Sequence, residues 1–286
     1  EDYPKSDNIS RKVYKLSTDV KDSVNLAKSL YINGLSHYNR NNNDSAYYYY
    51  SQSEKIYQNL DDKYQLGKVL LSKSYIYYNI GEYALAETEG VNALKMFNKD
   101  SITDIYDCYN VLGNTLDGLN NNLEAIKYFK QALAEIDKFK EIGMSQLNID
   151  NYTASCYNNM GGLYVKMGDY NEAIHIYNSA LQKKEVINLN RSLYAKLLNN
   201  LGFAKFKRGD KKGIAALYFK SLKIRDSLDN VSGIIASHIK IGEYYISKKD
   251  TSHDINYLTF AYNKAKSIQS HYDILNSLKL LSEKHK

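Results

Sequence analysis

The asparagines of this 286-residue chain are the residues whose spacing could do chemistry, because they recur at fixed offsets from a glycine. Asn110 and Asn114 flank Gly113, Asn158 and Asn159 precede Gly161, and Asn199 and Asn200 precede Gly202. A side-chain amide carries one acceptor and two donors, so it can bond both the N–H and the C=O of an extended peptide. A row of such amides would hold a backbone while demanding little of its sequence. The same residues have a second reading, in which a buried amide bonds only a neighbouring helix. Bond-making chemistry finds less support. The chain has no G-x-x-x-x-G-K-[ST] phosphate loop, no H-E-x-x-H, no G-x-S-x-G and no C-x-x-C. Its six histidines, His37, His175, His238, His253, His271 and His285, are dispersed and lack metal-ligand spacing. No catalytic residue, metal site or cofactor is therefore expected. Cys108 and Cys156 each stand five residues before one of these glycines. Equivalent helices in a stack lie about 9–10 Å apart, too far for a disulfide, so both are read as free, partly buried thiols.

The glycines belong to a longer pattern that must position the asparagines. Cys156 to Leu181 holds one complete helix-turn-helix unit: Gly161, Tyr164 and Gly168 line one helix face, and Ala173, Tyr177 and Ala180 line the next. Gly161 and Ala173 are small where two helices would cross closely, with Tyr164 and Tyr177 filling the space beside the crossing. Gly168 suits the left-handed position that ends the first helix. Asp169 suits the cap of the second, with Glu172 three residues on.

Copies of this unit run before and after it. The equivalent small residues are Gly34, Ser74, Gly113, Gly161, Gly202 and Gly242, separated by 40, 39, 48, 41 and 40 residues. The repeats span residues 25–60, 65–100, 104–140, 152–187, 193–228 and 233–267, inside one domain of residues 11–286 preceded by a lead-in of 1–10. An amphipathic helix over 271–286 ends the chain. The surplus between the third and fourth units, near Asp137 to Asn151, is expected to form longer helices or an ordered loop.

The pattern resembles the tetratricopeptide repeat family, whose usual period is about 34 residues. The features that carry the resemblance are the pairs Leu112-Gly113, Met160-Gly161 and Leu201-Gly202, the turn Gly168 to Tyr170, and the small residues that open and close the second helices. The family's tryptophan and its terminal proline are absent, and the extra six residues per unit would lengthen each helix pair by about 9 Å at 1.5 Å per residue. Such long repeats are similar to those of kinesin light chains and bacterial peptide-sensing regulators. The resemblance implies an all-α fold, a right-handed α-α superhelix of about six helix-turn-helix repeats plus a C-terminal helix. It also implies that the first helices line a concave groove, placing Asn110, Asn114, Asn158, Asn159, Asn199 and Asn200 there. Tyr38, Tyr75 and Tyr78, with Tyr31, Leu35 and Leu71, would form an aromatic wall in units one and two, and Lys196 and Phe203, with Phe206 and Lys207, a charged pocket in unit five. The family's carboxylate clamp is not reproduced at these groove positions. The function implied is a non-enzymatic protein- or peptide-binding module, the sensor or scaffold segment of a larger bacterial signalling protein. The alternative is an array that self-associates or regulates an attached kinase or DNA-binding domain.

Composition fits a packed helical protein: 43% hydrophobic residues, 24% charged residues and a single proline, Pro4. The net charge of +6 comes from scattered basic residues rather than one stripe, so no nucleic-acid partner is expected. The basic C-terminal run Lys264, Lys266, Lys279, Lys284 and Lys286 reads as a solvated face. No window is long and apolar enough for a membrane span. The expected partner is a protein or peptide in the groove, with weak self-association through the C-terminal end around Leu278 and Leu281. Because the chain opens on Glu1, it is expected to be part of a longer protein, in an extracytoplasmic, periplasmic setting rather than a cytoplasmic one.

Overall fold

The computed structural model describes residues 12–183, 190–248 and 251–283, without the side chains of 251–254 and Glu283. The lead-in 1–10, Arg11, Lys284, His285 and Lys286 lie outside them. Every element among the described residues is helical. A helical stretch over 12–19 precedes six hairpins. They pair α1 (Ser23–Asn39) with α2 (Asn43–Asn59), α3 (Lys63–Asn79) with α4 (Tyr83–Met96), and α5 (Ile102–Gly118) with α6 (Asn122–Asp137). The later three pair α7 (Gln146–Lys166) with α8 (Tyr170–Leu181), α9 (Arg191–Arg208) with α10 (Ile214–Asp226), and α11 (Val231–Ser247) with α12 (Thr251–Ser267). Helix α13 (His271–Glu283) packs on α11 and α12. The fold is the all-α tetratricopeptide-type solenoid of helix hairpins. No helix among the described residues is long and apolar enough to cross a membrane.

The helices begin and end where short polar side chains can satisfy the backbone. Asp22, Asn42, Asp62, Asp169, Asn190 and Asn230 each accept a hydrogen bond from the backbone N–H three residues on, closing the N-termini of α1, α2, α3, α8, α9 and α11. Turns that need a positive φ take it at Asn41, Asp61, Asn120 and Asp229, and at Gly81, Gly168 and Gly209. Much of the chain's asparagine and aspartate is therefore spent on its turns.

Close crossing of each hairpin rests on one recurring pair. A Cβ at Gly34 would lie 2.5 Å from the Tyr50 ring, at Gly161 2.5 Å from Tyr177, and at Gly202 2.7 Å from Tyr218. The ring sits directly on the glycine, sixteen residues away, and is itself buried. Phe129 on Gly113 and Leu258 on Gly242 repeat the arrangement. The second hairpin exchanges the sizes: Ser74 stands in the glycine position and Gly90 in the ring position. The Ser74 hydroxyl donates to the Ala86 carbonyl at 2.7 Å, and Leu112 of α5 fills the space over Gly90.

The chain divides into two compact units, Glu1–Ile142 and Gly143–Lys286. In the first, α3 stands between α1 and α5. The surplus after the third hairpin forms turns, and Phe139 is buried edge-on against Tyr106 with ring centroids 5.6 Å apart. In the second, α9 stands between α7 and α11, and α11 between α9 and α13. The rest of the surplus lengthens α7 to 21 residues.

Candidate functional site

Each unit holds a cavity on the face made by its first helices. In the first unit, α1, α3 and α5 enclose about 320 Å³ lined by Tyr31, Leu35, Tyr38, Leu71 and Tyr75, with Lys68, Asp104 and Asp107 at its charged side. The Tyr38 hydroxyl accepts from Asn79 Nδ2 at 2.8 Å, and the Tyr75 hydroxyl donates to the Asp107 carbonyl at 3.4 Å. Burial, with the Asp104 carboxylate adding to it, raises the Asp107 carboxyl to about 7. Tyr78 does not join this wall: it packs on Tyr83, ring centroids 6.0 Å apart. Asn110 sits beside the Tyr75 hydroxyl, and Asn114 is half-buried on α5 away from the cavity lining.

The second unit encloses a larger cavity, about 720 Å³, among α9, α10, α11 and α13. Lys196, Asn199 and Asn200 of α9 line it, as do Arg225, Lys240, Glu243 and Lys279. The asparagines here divide into two roles. Asn200 Nδ2 donates to Asn158 Oδ1 at 2.9 Å, and Asn158 Nδ2 donates to Asn159 Oδ1 at 3.2 Å, so this amide chain ties α7 to α9. Asn199 is different. It is 5% exposed, and its Oδ1 has no hydrogen-bond partner among the described residues.

The cations of the second cavity also divide. Lys207 and Lys240 both reach Glu243, at 2.9 and 3.1 Å, and Lys240 Nζ stands 3.5 Å above the Phe203 ring. Burial would raise the Glu243 carboxyl, but Lys240 and Lys207 more than offset it and hold it below the usual range. Phe203 thus supports the cations and does not itself line the cavity. Arg225 is 6% exposed; its Nη1 donates to the Gly233 carbonyl at 2.6 Å and to Ser237 Oγ at 2.9 Å. No carboxylate of the described residues lies within ion-pairing distance of it. Burial pulls its pKa down to about 10. Lys196 keeps a solvent-exposed side chain, and desolvation by its surroundings followed by the Arg225 charge lowers its pKa.

Arg225 escaped the sequence reading, although its position was visible. It stands seven residues after the ring that packs on the hairpin glycine. The first, second, third and sixth hairpins put Tyr57, Phe97, Ile136 and Ala265 there. A charge on that largely apolar stripe was the signal, although the fourth hairpin carries one at the same position, Lys184. The cysteines are free and buried, and burial raises the Cys108 thiol well above its usual range.

Tetratricopeptide repeat models match residues 106–136 and 152–227. No curated protein matches the chain in sequence. Among solved structures, the apo form of RapI is 18% identical over 87% of this chain and 86% of its own, with a TM-score of 0.75. The apo quorum sensor NprR from B. thuringiensis is 16% identical, covering 96% and 82%, at 0.63. The Rap conjugation gene regulator of plasmid pLS20, in complex with the Phr* peptide, is 14% identical, covering 94% and 77%, at 0.62. The same close hairpins, Gly34 on Tyr50 before the matched residues and Gly242 on Leu258 after them, give the described chain the fold of the tetratricopeptide repeats that those models match.

Proposed function

We propose that the chain is a non-enzymatic module that binds an extended peptide or partner segment, as the sensor or scaffold part of a bacterial signalling protein. The observation that carries this reading is Asn199. A buried amide oxygen left without a donor costs about 1–3 kcal/mol, and Asn199 lines a cavity of about 720 Å³, large enough for several residues of peptide. A peptide N–H supplies the missing donor. The structural likeness to a regulator solved with the Phr* peptide supports the same reading. A random-sequence pentapeptide pool, equilibrated by dialysis and read by mass spectrometry, tests it. The parent chain should retain peptides and Asn199→Ala should retain several-fold less at unchanged helical circular dichroism; retention of nothing by the parent sinks the proposal.

A second reading rests on α13, where Tyr272 is 76% exposed and Leu275 67%. Such an apolar face would support weak self-association. Sedimentation at rising concentration, compared with Leu275→Glu, tests it; a strict monomer removes it.

A further inference from the structure

The second cavity has a charge its own chain does not balance. Arg225 is buried in a position that other hairpins fill with Tyr57, Ile136 or Ala265, and it has only a backbone carbonyl and a hydroxyl as partners. Its guanidinium has five N–H donors, of which Nη1 supplies these two bonds. Lys196 lines the same cavity without an ion pair among the described residues, whereas Lys207 and Lys240 share Glu243. A buried cation without a counter-charge is costly, and a carboxylate with bidentate geometry is the complement of a guanidinium.

We propose that this cavity selects peptides carrying a carboxylate, received by Arg225 and Lys196, while Asn199 takes a backbone N–H of the same ligand. The proposal rests on the peptide-binding reading and adds a chemical class to it. Arg225 lies on the second helix of its hairpin, so the carboxylate enters from the floor of the cavity rather than along the row of first helices. The carboxylate belongs either to an aspartate or glutamate side chain or to a C-terminus, and both present the same two oxygens.

Three N-acetylated pentapeptide pools test this by equilibrium dialysis against the full chain. One carries a fixed central Asp and a C-terminal amide, the second a fixed central Asn and an amide, and the third the same Asn with a free C-terminus; the other positions exclude Asp and Glu. One or both carboxylate pools should be retained about tenfold or more over the Asn-amide pool. The Asp-amide pool prevailing identifies a side chain, and the free-acid pool prevailing identifies a C-terminus. Arg225→Met and, because Arg225 is buried, the exposed substitution Lys196→Gln should each reduce that preference several-fold, with Lys223→Gln on the outer face of α10 leaving it unchanged. Equal retention of all three pools overturns the charge assignment alone. Preference undiminished in both variants overturns it as well. Retention of none takes down the peptide reading and this proposal together.

Discussion

Each unit buries a cation between helices, and the two treat it in opposite ways. In the first unit Lys73 of α3, 5% exposed, lies between Glu54 of α2 at 2.9 Å and Glu89 of α4 at 2.8 Å. Burial alone would lower its pKa; the bonds to Glu89 and Glu54 reverse that and raise it. In the second unit Arg225 has no carboxylate of the described residues within ion-pairing distance. The compensated cation is a fastener that pins three helices. The uncompensated one faces open space of about 720 Å³. Burial is common to both cations, and the balance of charge around the buried group is what differs between them.

The largest effect that would sharpen this contrast is at Lys73. Replacing it with Met leaves Glu54 and Glu89 facing each other, at a cost of about 3–5 kcal/mol, and urea denaturation followed by circular dichroism reads the loss. A cost below about 1 kcal/mol would mean the triad is not the fastener described.

Next come Gly34→Ala and Gly161→Ala, one in each unit. Their Cβ atoms meet the Tyr50 and Tyr177 rings at the same 2.5 Å. Each should destabilise by about 1–3 kcal/mol. Matching losses would place the difference between the units in their charges and leave their scaffolds equivalent.

Asp107 carries the pH dependence of the first cavity. Its folded pKa, about 7, is raised above the unfolded value by burial, so the folded state holds a proton that the unfolded chain releases between about pH 4 and 7. Stability is therefore lost as pH rises through that window, and the penalty is complete above 7. Asp107→Asn should stabilise by about 1–2 kcal/mol at pH 8, after allowance for hydration, and by nothing near pH 3; a pH-independent effect would contradict the assignment.

The smallest effect is at Arg225. Met there removes an unbalanced charge and two hydrogen bonds together, so stability should move by no more than about 1 kcal/mol in either direction. A loss as large as that of Lys73→Met would show that Arg225 is a fastener too.

The hairpins were legible because the glycine and its ring recur at fixed spacing and the turn chemistry of Gly168 and Asp169 is local. The site was legible only in part. Lys196, Asn199 and Asn200 were named and line the second cavity, and Tyr38 and Tyr75 line the first. Asn158, Asn159 and Asn200 show why the rest was not. Whether an amide bonds a ligand or a neighbour depends on a partner about 40 residues away, and periodicity carries no information about that distance. Tyr78 instead turned to Tyr83, across the turn of its own hairpin. Lys73 and its two glutamates went unread because each sits among ordinary surface charges until three helices bring them together.

The exchange of Ser74 and Gly90 bears on how the first unit unfolds. Most hairpins carry their own plug: a ring or Leu258 supplied from within the pair. The second hairpin is plugged by Leu112 of the third, and so it is complete only while its neighbour is folded. Opening of the third hairpin leaves a hole in the second, which couples the two into one cooperative step where a repeat array otherwise admits fraying one repeat at a time. Recombination that moves the second hairpin without the third would carry that hole with it.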